Sequence, residues 1–300
     1  MIADILCEKI KAKKNPCIVG LDPEWHKMPE CYKSFSPAEG IYRWACDIID
    51  TASPTVPAVK PQMAFYEVFG HSGVEVFEKI VKYAHKKGLL VIDDSKRNDI
   101  GNTSRAYAFA HLSKDGPINA DFLTISPFLG EDSMEPFFEC ALENDKGLFI
   151  LVKTSNPDSK NIQDAVRKDE KKVCVSLSEY VHRRGKEYEK DSGYSSIGAV
   201  VGATFPETAQ ELRKIMKNNF FLVPGYGAQG GTADSIVHCF NPDGLGALIS
   251  SSREITYKHL TADSFNGSRN AYLEIVEKQT KKMQSEVYSA LKQNFQNMEY

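Results

Sequence analysis

Residues 89–105 read LLVIDDSKRNDIGNTSR, and this stretch decides the fold that we predict. Its first four residues, 89–92, form an aliphatic run that is typical of a strand buried on both faces of a parallel sheet. Side chains alternate between the two faces of a strand, so Asp94 and Lys96 should point to the same side. Asp99 follows on a short turn before a helical pattern. A carboxylate beside an ammonium group at the end of a buried strand favours a functional site over a solvated rim.

Seven further short apolar runs alternate with helical patterns, and capping signals at Ser36 and Thr204 predict where two of the helices begin. Strands that alternate with single helices indicate βαβ units, and eight such units predict an α/β fold, the (β/α)8 TIM barrel. An open doubly wound sheet is the structural alternative. The predicted strands cover residues 17–21, 56–60, 89–94, 120–125, 148–153, 197–202, 220–223 and 247–250.

The whole chain, residues 1–300, is expected to form one barrel domain with extra terminal helices. Residues 156–195 exceed the minimal barrel and are long and polar, so we expect one or two helices beside a loop. Two interpretations of this insertion stay open: a lid that closes over a ligand, or solvated surface. Residues 266–300 predict a C-terminal helix that packs on the outside of the barrel or on a partner.

Composition excludes several classes of function. The net charge of −3, with acidic and basic residues both plentiful, gives no basic footprint for a nucleic acid. No apolar run approaches the roughly 18 residues of a membrane span, and the first residues form an amphipathic pattern rather than a signal peptide, so we expect a cytoplasmic protein. Seven dispersed cysteines predict reduced thiols, and the dispersed histidines predict no metal site.

The ends of the predicted strands carry the candidate site. Barrel enzymes place their chemistry at the C-terminal strand ends. Asp22 ends the first strand and Lys60 the second, while Asp94 and Lys96 end the third. Each residue alone could be an ordinary turn or surface residue. Because all four lie at the ends of successive strands, we predict that their side chains converge at one opening of the barrel.

A glycine-rich loop follows the seventh strand, where residues 224–231 read PGYGAQGG, and Arg253 follows the eighth. Glycines let backbone N–H groups approach phosphate oxygens, and an arginine can bind them bidentately. Because TIM barrels commonly bind phosphate after strands seven and eight, this pair predicts a phosphate site.

The pattern Asp-x-Lys-x-x-Asp at residues 94–99 resembles the signature of the orotidine 5'-phosphate decarboxylase family, in its longer bacterial branch. Similar blocks at residues 19–23, 59–67, 154–156 and 224–231 extend the resemblance over nearly the whole chain. It implies decarboxylation of orotidine 5'-phosphate to UMP in de novo pyrimidine biosynthesis, with neither a metal nor an organic cofactor.

The resemblance also implies a role for each matching residue. Lys96 would protonate C6 of the pyrimidine, Asp94 would lie against the substrate carboxylate, and Lys60 would balance its charge. An alternating array of lysine and aspartate side chains keeps both lysines protonated. Asp22 and Lys60 would hold ribose hydroxyls.

The remaining roles concern the ring, the phosphate and a second subunit. Ser155 would contact the pyrimidine, while Gln229 and Arg253 would bind the 5'-phosphate. A short segment after the third strand would extend into the active site of a neighbouring subunit. The resemblance therefore implies a homodimer with shared active sites. The residues of that segment are Asp99, Ile100 and Thr103.

Three alternatives remain at this point. A related phosphosugar barrel, such as a hexulose-phosphate synthase, also carries an Asp-x-Lys strand end but would require magnesium. A lysine-imine aldolase needs an uncharged amine, which flanking carboxylates disfavour. A nucleotide-sensing barrel would keep the phosphate site without turnover, and the intact charged residues argue against it.

Overall fold

The computed structural model describes residues 1–227 and 230–300. Its eight strands are parallel and form a closed barrel in sequence order, so the predicted (β/α)8 fold is confirmed. All eight strands lie within three residues of their predicted limits. The strands are β1 Cys17–Leu21, β2 Ala58–Pro61, β3 Leu90–Arg97, β4 Phe122–Ile125, β5 Gly147–Lys153, β6 Ser195–Val201, β7 Asn219–Val223 and β8 Ala247–Ser251.

Helices connect the strands and cover the outside of the barrel. The α-helices are α1 Ile2–Lys13, α2 Glu30–Lys33, α3 Pro37–Ala52, α4 Ala64–Glu67, α5 Gly70–Lys86, α6 Gly101–Leu112, α7 Glu131–Asn144, α8 Lys160–Gln163, α9 Val173–Gly185, α10 Pro206–Ile215, α11 Ala233–Val237, α12 Arg253–Thr256 and α13 Arg269–Asn294. Short 3₁₀ turns cover Trp25–Lys27, Pro157–Ser159, Lys186–Tyr188 and Lys258–Thr261.

The N-terminal helix α1 closes the end of the barrel where the strands begin. Its apolar face packs on side chains that fill the barrel interior, and all of them are buried. Burial of this kind removes apolar surface from water and is the main favourable term in folding. The residues in this contact include Ile2, Leu6 and Ile10 of the helix and Phe122, Phe149 and Phe220 of the interior.

The long helix α13 packs on the outside of the barrel, against α3 and β1. The indole Nε1 of Trp44 donates a hydrogen bond of 2.7 Å to the hydroxyl of Tyr272, which ties α3 to α13. Both side chains are fully buried.

The segment between β5 and β6 divides into two parts. Helix α9 packs against β5 and β6 and is therefore the connecting helix of this βαβ unit. Residues 156–172, with a 3₁₀ turn and the short helix α8, remain as the part that exceeds a minimal barrel. The lid interpretation accordingly stays a prediction for residues 156–172 alone.

The two capping signals have different outcomes. Helix α3 begins after Ser36 as predicted, although the Ser36 side chain makes no capping hydrogen bond. Helix α10 begins after Phe205 and not after Thr204. The Thr204 hydroxyl donates instead to the carbonyl oxygen of Ser155 at 3.2 Å, so tertiary contact replaces the cap.

Within the described ranges, no helix is long and apolar enough to cross a lipid bilayer. All seven cysteines are free thiols, as predicted, and four of them are buried. Burial raises the pKa of the Cys239 thiol to about 12, so this side chain acts as a small apolar group.

Candidate active site

A cavity of about 480 Å³ opens at the C-terminal ends of the strands. It is lined by residues near or just beyond the C-terminal ends of β1, β2, β3, β5, β6, β7 and β8, as expected for a TIM barrel site. Six of the predicted site residues line this one cavity: Asp22, Lys60, Asp94, Lys96, Ser155 and Arg253.

Asp94 lies at the centre of a charged cluster. Its Oδ2 accepts a hydrogen bond of 2.6 Å from Lys60 Nζ, and its Oδ1 accepts one of 2.5 Å from Lys96 Nζ. The Thr124 hydroxyl on β4 donates a third, of 3.0 Å, to Oδ1. The alternation of side chains along β3 thus places Asp94 and Lys96 on one side, as predicted, and Lys60 arrives from the neighbouring strand.

Burial and charge have opposite effects on these groups. Burial raises the pKa of the Asp94 carboxyl, but the ammonium groups of Lys60 and Lys96 outweigh burial and bring the pKa below its usual range. Burial lowers the pKa of Lys60, while the carboxylates of Asp94 and Asp22 raise it to a net value above normal. Asp94 is therefore an anion and Lys60 a cation at neutral pH.

Asp22 presents an unused acceptor to this cavity. Among the described residues, its Oδ1 is buried and has no hydrogen-bond partner, and the same is true of the Ser252 hydroxyl. A buried polar atom without a partner costs about 1–3 kcal/mol, which a ligand hydroxyl can recover. Both residues line the cavity, so the structure holds polar groups ready for a ligand.

The backbone of Lys96 is strained. Its φ angle of 48° lies in the left-handed region, which costs a residue with a side chain about 1–2 kcal/mol. The pairing of β3 with β4 shifts register between Asp93 and Arg97, so the strained residue lies in an irregular stretch of β3. The Lys96 N–H donates to Thr124 Oγ1 at 2.9 Å, which fixes the backbone at this point. Irregular strands of this kind often redirect a side chain at an active site.

The predicted residues after β3 do not line the cavity of their own chain. Asp99 is half-buried on the turn before α6, and its Oδ1 accepts a 2.8 Å hydrogen bond from the Ile100 N–H. Ile100 is 60% exposed, and Thr103 is also exposed. Gln229 lies outside the described residues.

Sequence reasoning missed Thr124 and Ser252. Thr124 is a single polar residue in the buried strand FLTI, and its interruption of that apolar run was the available signal. Ser252 lies between the end of β8 and Arg253. It is a small uncharged residue, so the sequence carries no signal that distinguishes it from an ordinary loop serine.

Lys153, at the end of β5, does not line the cavity, unlike Lys60 and Lys96. Its side chain is fully buried, and its Nζ donates a 2.7 Å hydrogen bond to Asp164 and lies 4.5 Å from the ring centroid of Phe205. The pair joins β5 to the residue after α8. It therefore anchors the middle of residues 156–172 to the barrel.

Comparison with known proteins agrees with this geometry. Residues 15–259 match the model of the "Orotidine 5'-phosphate decarboxylase / HUMPS family". Proteins named orotidine 5'-phosphate decarboxylase from Rhodopirellula baltica and Clostridium botulinum (strain Langeland) are 42% and 38% identical to this chain. The first match covers 80% of this chain and 83% of its relative, and the second covers 92% and 97%.

Solved structures give the same result. The crystal structure of a putative orotidine 5'-phosphate decarboxylase from Streptomyces avermitilis superposes with a TM-score of 0.81 and 31% identity, over 97% of this chain and 96% of that one. The chain belongs to the orotidine 5'-phosphate decarboxylase / HUMPS family.

Proposed function

We propose that this protein decarboxylates orotidine 5'-phosphate to UMP, the reaction that ends de novo pyrimidine synthesis. The observation that carries the proposal is the array in one cavity of buried Lys60 and Asp94 with the partly exposed Lys96, and Arg253 lines the same cavity. The names of the two relatives from Rhodopirellula baltica and Clostridium botulinum, each covered over most of its length, point to the same activity.

The array suits a reaction that forms a carbanion. The bond between C6 and the carboxylate breaks, carbon dioxide leaves, and the electron pair stays in an sp² orbital at C6 that the ring delocalises poorly. The Lys96 ammonium stabilises this charge and then transfers a proton to C6, after which Lys96 regains a proton from solvent. Asp94, held as an anion, repels the substrate carboxylate and so disfavours the ground state relative to the transition state.

Binding of the remote groups holds the ring against this array. Arg253 and the loop of residues 224–231, including Gln229, bind the 5'-phosphate, and Ser155 contacts the pyrimidine. Asp22 and Lys60 hold ribose hydroxyls, which is consistent with the free acceptor on Asp22. Energy from phosphate binding can then lower the barrier at C6, several bonds away.

The site is completed by a second copy of the chain. Asp99, Ile100 and Thr103 of one subunit enter the cavity of its partner, so that the active unit is a homodimer. An exposed apolar surface on the connections that follow β2, β3 and β4 supports this arrangement, because such surfaces mark interfaces. It consists of Val68, Ile100, Phe128 and Leu129, which are 47–77% exposed.

Residues 156–172 form the lid over the bound nucleotide. Ile162 and Val166 of this segment are 60% and 68% exposed, and closure would transfer them from water to an apolar contact. The ion pair between buried Lys153 and half-buried Asp164 stays in place and holds the middle of the segment to the barrel.

The deciding experiment follows the loss of orotidine 5'-phosphate absorbance with purified protein in EDTA, beside the Lys96→Ala variant. We expect turnover in the wild type and none in the variant. Turnover that depends on magnesium, with hexulose phosphates as substrates, would overturn the proposal in favour of the phosphosugar reaction. Binding of UMP without any turnover of orotidine 5'-phosphate would indicate a nucleotide sensor.

A further inference from the structure

A second polar cluster lies on the outer side of β3, behind the cavity. Asp93 is fully buried and the side chain of His111, on α6, is 5% exposed. His111 Nδ1 lies 2.6 Å from Asp93 Oδ2, and its Nε2 lies 3.1 Å from Arg97 Nε. Neither Asp93 nor His111 touches the cavity that binds substrate, so the proposed reaction leaves the cluster without a role.

The contact with Arg97 determines which nitrogen of His111 carries the proton. A guanidinium has only donors, so Nε2 must be the acceptor. The ring proton is therefore on Nδ1, which donates to Asp93 Oδ2. Both nitrogens are used, and the ring orientation is fixed at both ends.

The two partners of His111 flank the reactive part of β3. Asp93 and Arg97 are the residues immediately before and after the stretch from Asp94 to Lys96, where the strand shifts register. This stretch includes Lys96 with its left-handed backbone. A single imidazole thus joins both ends of a strained three-residue segment. Arg97 also donates a 3.0 Å hydrogen bond to Glu67, which extends the support to α4.

We propose that His111 is a positioning residue, which holds the irregular segment of β3 so that Lys96 and Asp94 meet the substrate in the reactive geometry. Strained backbone persists only where its surroundings fix it, and on this side of β3 His111 supplies the restraint that joins both ends of the segment, beside the local hydrogen bond from the Ser95 hydroxyl to Asp93. The inference rests on the proposed decarboxylation, because its measured quantity is the turnover number.

The test compares His111→Ala with His111→Gln and a matched control. The control is His85→Ala. Like His111, His85 pairs with a buried carboxylate: its Nε2 lies 2.8 Å from Asp121 Oδ2. Asp121 directly precedes β4, at the opposite end of the barrel from the cavity. Each variant is measured for kcat and KM with orotidine 5'-phosphate, and the number of folded sites is counted from the stoichiometry of UMP binding.

We expect His111→Ala to lower kcat per UMP-binding site about 100-fold, the order of loss that follows a 1 Å misplacement, with KM and the Kd of UMP near wild type. His111→Gln should recover part of kcat, because its amide oxygen can accept from Arg97. His85→Ala should lose stability and keep its kcat per site. This split separates positioning from a general loss of folded protein.

A His111→Ala protein with wild-type kcat per site would overturn the inference, and so would an equal loss of kcat in His85→Ala. If His111→Ala does not fold, Arg97→Ala removes one end of the same restraint from the surface side, and unchanged kcat in that variant would equally overturn it. A wild type without turnover would instead refute the proposed function.

Discussion

Lys60 Nζ lies 2.6 Å from Asp94 Oδ2, and only about a tenth of either side chain is exposed to solvent. An ion pair this deeply buried is sensitive to the loss of one partner, since the remaining charge is then left in a medium of low polarity. We therefore expect Asp94→Asn to abolish turnover and to lower the free energy of unfolding by about 3 kcal/mol. Urea unfolding measures this loss, and a variant as stable as the wild type would show that the pair is not maintained.

The same pair predicts the pH dependence of stability. The pKa of Asp94 is below its unfolded value of 3.8, so its contribution is complete above that value and is lost as the pH falls through the folded pKa. The pKa of Lys60 is above its unfolded value of 10.5, so its contribution is complete below 10.5 and is lost as the pH rises through the folded pKa. The difference in unfolding free energy between wild type and Asp94→Asn should thus be constant from about pH 5 to 9 and shrink below about pH 4. A difference that changes steadily across neutral pH would contradict these shifts.

The backbone of Lys96 gives a prediction that separates strain from chemistry. Lys96→Ala and Lys96→Gly both remove the ammonium, so both should be inactive. Glycine adopts positive φ without a steric cost, so Lys96→Gly should be more stable than Lys96→Ala by about 0.5–1 kcal/mol. At a regular strand position the order is reversed, because glycine in a strand is destabilising.

Ser95, the neighbour of Lys96, serves as the control for this comparison, because its φ is not positive. Ser95→Gly should be less stable than Ser95→Ala in the same denaturant titration. The same order of stabilities at both positions would show that Lys96 is not held in the left-handed region.

The common side of Asp94 and Lys96 could be predicted from the sequence, because side chains of a strand alternate with period two. The approach of Asp22 and Lys60 could be predicted as well, because parallel strands of a barrel all end at one mouth. These two rules need only the strand limits. The residues that they bring together all line the cavity.

Other features depend on contacts that no local pattern contains. The left-handed φ of Lys96 is maintained by Thr124 and by the register shift between β3 and β4, both of them long-range. In the sequence, Lys153 resembles the other lysines at strand ends, but its side chain does not line the cavity. The pairing of β5 with β6 shifts register between Leu151 and Lys153, at the point where this difference occurs. The role proposed for Asp99 would involve a second chain, which the sequence of one chain does not position.

Arg253 predicts a loss that depends on the phosphate of the substrate. A charge-assisted hydrogen bond contributes about 1.5–3 kcal/mol, so Arg253→Ala should lower kcat/KM for orotidine 5'-phosphate by about 10-fold to 100-fold. With orotidine, which lacks the phosphate, the variant and the wild type should have equal, much lower efficiencies. The control is Arg269→Ala, which removes an exposed arginine that donates hydrogen bonds of 2.5 and 2.6 Å to Asp47 and does not line the cavity. A deficit of equal size with orotidine would place Arg253 outside the phosphate site.

The proposed sharing of sites between subunits can be tested by mixing two inactive proteins. Lys96→Ala damages the subunit that provides the array, and Asp99→Ala damages the subunit that reaches into its partner. In a hybrid dimer, one of the two sites then has both residues intact. If subunits exchange at random, half of the dimers are hybrids, and the mixture should regain about a quarter of wild-type activity.

The control for this mixing experiment is a pair of variants damaged on the same side of the site. Lys96→Ala mixed with Asp94→Asn should stay inactive, because both residues belong to one subunit's array and no hybrid contains an intact site. Phe128→Asp places a charge in the exposed apolar surface, so it should weaken subunit association in sedimentation velocity and lower activity in parallel. Full activity in a monomeric Phe128→Asp protein, or no recovery on mixing despite subunit exchange, would show that each chain holds a complete site and that Asp99 acts within its own chain.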